Sequence, residues 1–106
     1  MNTATMHLDN LSGHPGYTRC YKLSKTAQFG RILAQHVVVN IVPPTAYQAA
    51  EVMVLPANEL GACLTSTLMR QPGSFVLHAD YDGGLPDKVE GAFAWALGSL
   101  GYQVGE

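Results

Sequence analysis

Two histidines and a carboxylate are what a borderline divalent metal or an acid–base step requires, and the sequence offers such groups in residues 75–90, FVLHADYDGGLPDKVE, and again at His36. In SFVLHADY the apolar residues Phe75, Leu77, Ala79 and Tyr81 alternate with Val76, His78 and Asp80, so His78 and Asp80 fall on one side of a strand. His36 and Asn40 sit four residues apart on a second strand pattern and share a side of it. His36, Asn40, His78 and Asp80 are therefore the candidate ligand set. They suit zinc, iron or a small molecule if strand register brings them together.

The same stretch also has an architectural reading. Asp82-Gly83-Gly84 is turn chemistry, and Asp87 with Glu90 has the capping-box spacing that satisfies the first amides of a helix. That reading leaves only His78 and Asp80, which on a solvent-facing strand are either a functional pair or simply solvated polar residues. Asp80-x-Asp82 begins like a calcium loop, but the later ligands and closing glutamate are missing. His7 and His14 lie in the polar, turn-rich stretch 1–16, which reads as a flexible arm; a histidine there needs a second ligand from the core, and the sequence indicates none.

Other chemistry finds little support. There is no nucleophile elbow, Walker loop or dinucleotide fingerprint. Cys20 and Cys63 lack C-x-x-C spacing and read as small, free, apolar residues. No catalytic residue and no cofactor is assigned, and an enzyme is the less favoured class.

The chain of 106 residues is 47% apolar and 13% charged, with a net charge of −2, which gives one domain with a substantial core and few charges to keep it dispersed. Its six lysines and arginines form no block, so no nucleic-acid partner is expected. No apolar run approaches the length of a membrane span, and the N-terminus lacks a signal-peptide pattern, so the expected address is the cytoplasm.

The elements that must position these residues follow from periodicity. YTRCYKLS alternates and reads as a first strand, with Tyr17, Arg19, Tyr21 and Leu23 on one side. Residues 25–35 fit helix or strand, and Gly30 tilts them to extended structure. QHVVVNIV is a β-branched strand ended by Pro43-Pro44, and EVMVLPA is its antiparallel partner. Asn58 can cap a short helix over residues 59–70, against an irregular alternative. The terminal helix carries Val89, Phe93, Ala96 and Leu100 in one stripe, with Gly101-Tyr102 as its stop and YQV as a short last strand.

The expected fold is a two-layer α+β domain over residues 17–106. A small antiparallel sheet of three to four strands carries the C-terminal helix on one face, leaving the other to water or a partner. The general look, low in charge and without a catalytic motif, is similar to small accessory proteins of mobile genetic elements. Two functions fit it. The first is a non-enzymatic protein–protein interaction module, a homodimer or a binder of another protein, using the open sheet face, Tyr17 and Tyr21, or Trp95, which lies off the helix stripe. The second is a metal- or small-molecule-binding domain using the His36, Asn40, His78 and Asp80 set.

Overall fold

Val37-Val38-Val39 sets the centre of the fold. All three side chains are buried, although neighbours on a strand point to opposite faces, so the strand that carries them is covered on both sides. In the computed structural model, which describes residues 2–9, 16–29, 32–44, 46–47, 49–61, 77–81 and 89–105, this strand is β3 (Ile32–Val42). It pairs antiparallel with β2 (Tyr17–Phe29) and with β4 (Ala50–Ala57). Residues 25–35 are thus largely the distal part of the β2–β3 hairpin, as the extended reading has it, with a register irregularity between Lys22 and Ala27.

Outside this trio lie β5 (Leu77–Tyr81), antiparallel to β4, and β1 (Thr3–Leu8), antiparallel to β2. The final strand, β6 (Gln103–Gly105), runs parallel to β1, and the six described strands order as β5-β4-β3-β2-β1-β6. The sheet is therefore mixed and larger than three or four antiparallel strands. The N-terminal stretch expected to be an arm supplies two of the differences. Residues 3–8 are a strand with Ala4 wholly buried, and β6 finds its partner in that strand. A polar composition hid this, because a strand flanked on both edges needs few apolar side chains of its own to be held by its ladder.

The single described helix, α1 (Val89–Ser99), lies across one face. Ala92, Phe93, Ala96 and Leu97 pack onto Tyr21, Leu23, Val37, Val39, Ile41, Val52 and Val54. Its end follows the expected left-handed stop. Gly101 has φ +87°, its N–H donates to the Gly98 carbonyl, and the Tyr102 N–H donates to the Leu97 carbonyl. Those bonds turn the chain back so that Gln103 N–H donates to the Asn2 carbonyl and β6 begins. Among the described residues no helix is long and apolar enough to cross a membrane.

The second face is not open to water at its centre, contrary to the expectation from a small sheet. Thr18, Cys20, Val38, Asn40, Leu55 and Ala57 are all buried on it, and Leu8 packs against Cys20, Val38 and Ala57. Residues 58–61 form a turn, in which the Leu60 N–H donates to Asn58 Oδ1 and the Gly61 N–H to the Asn58 carbonyl. The rest of the helix expected after Asn58, and the Asp87 cap with the Asp82-Gly83-Gly84 turn, lie outside the described residues.

Candidate functional site

Among the described residues polar chemistry gathers in two places, one on each face of the sheet. On the helix face, Arg19 stands in the alternation that also points Tyr21 and Leu23 at the core, so its cation enters an apolar layer and must be matched there. Two carboxylates do so. Arg19 Nε donates to Asp9 Oδ1 at 3.0 Å, Nη1 donates to Glu90 Oε2 at 2.7 Å, and Nη2 donates to Glu90 Oε1. Nη1 also reaches the Tyr21 hydroxyl at 3.3 Å, and the guanidinium carbon lies 4.3 Å from the centre of the Phe93 ring.

This fork-to-fork arrangement ties the first turn of α1 to β2. The Glu90 hydrogen bonds push the Arg19 pKa further up, and Arg19 in turn holds the Glu90 carboxyl below its ordinary range. Burial raises the Tyr21 hydroxyl against a smaller lowering by Arg19. Every group here is engaged by another, and the cluster works as a joint. Glu90, expected from its spacing to Asp87 to serve the helix's own amides, also binds Arg19; the Asp87 side of that expectation lies outside the described residues.

On the second face the arrangement is different. Between Met6↔Tyr21 and Leu8↔Cys20, β1 advances two residues while β2 advances one, which is a β-bulge. The bulge turns both His7 and Leu8 to the second face, Leu8 against Cys20 and His7 against His36, whose ring centre is 5.0 Å away at an interplanar angle of 53°. His36 comes from β3, where the register sets it between Lys22 and Ala57. The turn after β4 completes the place. Its Asn58–Gly61 hydrogen bonds and the left-handed Gly61 (φ +79°) present the Glu59 carbonyl, which lies 2.8 Å from His7 Nε2.

A carbonyl only accepts, so His7 Nε2 is the donor of this bond. His36 is held below the ordinary histidine range by burial first, then by His7 and Lys22, with Glu59 acting the other way. Its neutral form is favoured. Two imidazoles side by side are a pair of groups that can ligate a metal ion or hydrogen-bond a small polar ligand.

The residues named from sequence meet only in part. Asn40 is buried on the second face and donates to Thr18 Oγ1 at 2.7 Å, directly across the β2–β3 ladder, so it serves as a polar rivet between strands. The register sets His78 opposite Met53 and Asp80 opposite Glu51, whereas His36 is opposite Ala57. Four residues and two strand spacings separate the His36 and His78 positions, about 16 Å at ordinary strand rise and spacing. One metal ion does not bridge that gap. Among the described residues no group of three or more His, Cys, Asp or Glu side chains is placed to hold a metal.

Of the interface candidates, Tyr21 is corrected. It is buried under α1 with its ring tilted against Phe93 at 6.0 Å, because its side of β2 is the side the helix covers. Tyr17 and Trp95 are exposed. His7 is missed when residues 1–16 are taken for an arm, because the strand pairing that sets it beside His36 of the sheet is not written in that stretch. No family model matches the chain, and no curated protein or solved structure shows significant similarity to it.

Proposed function

We propose that the chain is a small, non-enzymatic cytoplasmic accessory protein that acts by protein contact, first of all with a second copy of itself, through the outer face of α1 around Trp95. Trp95 carries the proposal. It stays 39% exposed on a helix whose inner face is filled by Ala92, Phe93, Ala96 and Leu97.

Its surroundings support that choice. The exposed positions beside it are Gly91, Ala94, Gly98 and Ser99, and after Glu90 the helix has no charged residue. An outward helix face ordinarily carries charge, and this one is flat and neutral around a tryptophan. Gly98 costs about 1 kcal/mol of helix propensity relative to alanine. An added Cβ there meets nothing within 4 Å, so packing inside the chain does not require glycine, whereas close approach of a second backbone does. A neutral face also meets its own copy across a twofold axis without like-charge repulsion.

The test is light scattering over a concentration series. The wild-type chain runs at twice the monomer mass, and Trp95→Arg runs as a folded monomer with an unchanged circular dichroism spectrum. Gly98→Ala serves as a second probe: it weakens the dimer at least several-fold while leaving the isolated fold equal or more stable. A wild-type chain that stays strictly monomeric at millimolar concentration overturns the proposal, as does a dimer indifferent to both substitutions.

A further inference from the structure

We propose that His7 and His36 form a two-histidine site for a borderline first-row divalent cation, with zinc(II) as its representative. The inference is independent of the Trp95 surface, which lies on the helix on the other side of the sheet.

The distance between the rings carries the first part of the argument. Imidazole nitrogen binds zinc at about 2.0–2.1 Å, the ring centre lies about 1.1 Å beyond the nitrogen, and two ligands at right to tetrahedral angles then hold their ring centres about 4.5–5.2 Å apart. The observed separation of 5.0 Å falls inside that window. The two rings also come from different strands, β1 and β3, which flank β2, so the spacing is set by the sheet and by the bulge at His7 rather than by a flexible loop.

The second part concerns orientation. Metal-binding histidines generally donate their other ring N–H to a carbonyl or carboxylate, which fixes tautomer and ring position. His7 has that partner already: Nε2 donates to the Glu59 carbonyl at 2.8 Å, which makes Nδ1 the nitrogen that would bind the ion. The turn that presents this carbonyl is itself closed by the Asn58 and Gly61 hydrogen bonds, so the support reaches beyond the pair.

Charge around the pair is balanced. Lys22, in register with His36, opposes a cation, and the Glu59 carboxylate favours one. Imidazole ligands bring no charge of their own, so the ion keeps its full charge and its remaining positions go to water or to a small anionic ligand. Imidazole donors without an oxygen cage select zinc, copper or nickel over magnesium and calcium.

The experiment uses the full chain without an affinity tag and zinc(II) chloride, with magnesium(II) chloride as control. Calorimetry gives one zinc per chain, and the melting temperature rises with zinc and not with magnesium. Of the four histidines, only the ring signals of His7 and His36 shift on titration in the nuclear magnetic resonance spectrum. His7→Asn and His36→Gln each weaken binding at least about tenfold, while His14→Gln and His78→Gln do not. The ring-signal measurement needs no variant and so stands even if a substitution disturbs the fold. Absence of binding at millimolar zinc overturns the inference, and so does a shift confined to His14 or His78, or binding that survives both the His7 and the His36 substitutions.

Discussion

On the helix face of the sheet Arg19 is gripped by Asp9 and Glu90 and covered by Phe93, whereas on the opposite face His7 and His36 lie ring to ring with Lys22 in register beside them. The first cluster is closed by opposite charge. The second brings together two groups that neither carry opposite charges nor need each other to satisfy a buried ion. A fold gains by matching a cation that its own alternation drives into an apolar layer. It gains little by placing two imidazoles together. The difference separates a joint that assembles the molecule from the place proposed to bind a cation.

The comparison predicts first that the joint is costly to lose. Arg19→Ala removes the contact with Phe93, the Tyr21 partner and both carboxylate contacts, and destabilises the fold by about 1–3 kcal/mol, within the ordinary span for a destabilising point substitution. Glu90 is largely exposed, so its share of that loss is discounted to the small values of surface pairs, and most of the effect comes from packing against the aromatic rings. Urea unfolding reads it as a lowered midpoint. A midpoint unchanged by Arg19→Ala would mean that α1 is held by its apolar stripe alone and that the two clusters do not differ in kind.

The parts of this picture that the sequence shows are those written in a single segment. The valine run at residues 37–39 declares a strand, and three consecutive buried valines also declare cover on both faces, a sign not used when the second face is taken to be open. Gly101-Tyr102 declares the helix stop because its chemistry is complete within six residues. The His7–His36 pair needs two strand pairings and a bulge, and register is not encoded at either residue alone. Tyr21 illustrates the same limit, since alternation says which residues share a face but not which face the helix covers. Arg19 did leave a trace: a cation in the Tyr17, Tyr21, Leu23 series calls for a carboxylate from elsewhere in the chain.

A smaller effect sharpens the electrostatic half of the comparison. Arg19 lowers the Glu90 pKa from an ordinary value of 4.5, so this pair contributes stability above that value and loses it as the pH falls through the lowered one. Glu90→Gln therefore melts below the wild-type temperature at neutral pH, and the gap between the two closes in acid as the wild-type carboxyl is protonated. Thermal melts from pH 7 down to strong acid measure it. A gap that stays constant with pH would show that Glu90 acts by size and hydrogen bonding rather than by charge.

The smallest expected change is on the other face. His36→Ala in metal-free protein removes a half-buried ring whose neighbours are a second imidazole and a lysine, so the unfolding free energy moves by no more than about 0.5 kcal/mol, as for substitutions away from the core. Excess zinc should then enlarge the difference between wild type and variant, because only the wild type gains from binding. If His36→Ala instead costs as much as Arg19→Ala without metal, the two rings are a packing contact like Phe93 on Tyr21. The asymmetry between the faces would then reflect only which residue types happened to fill two equally structural positions.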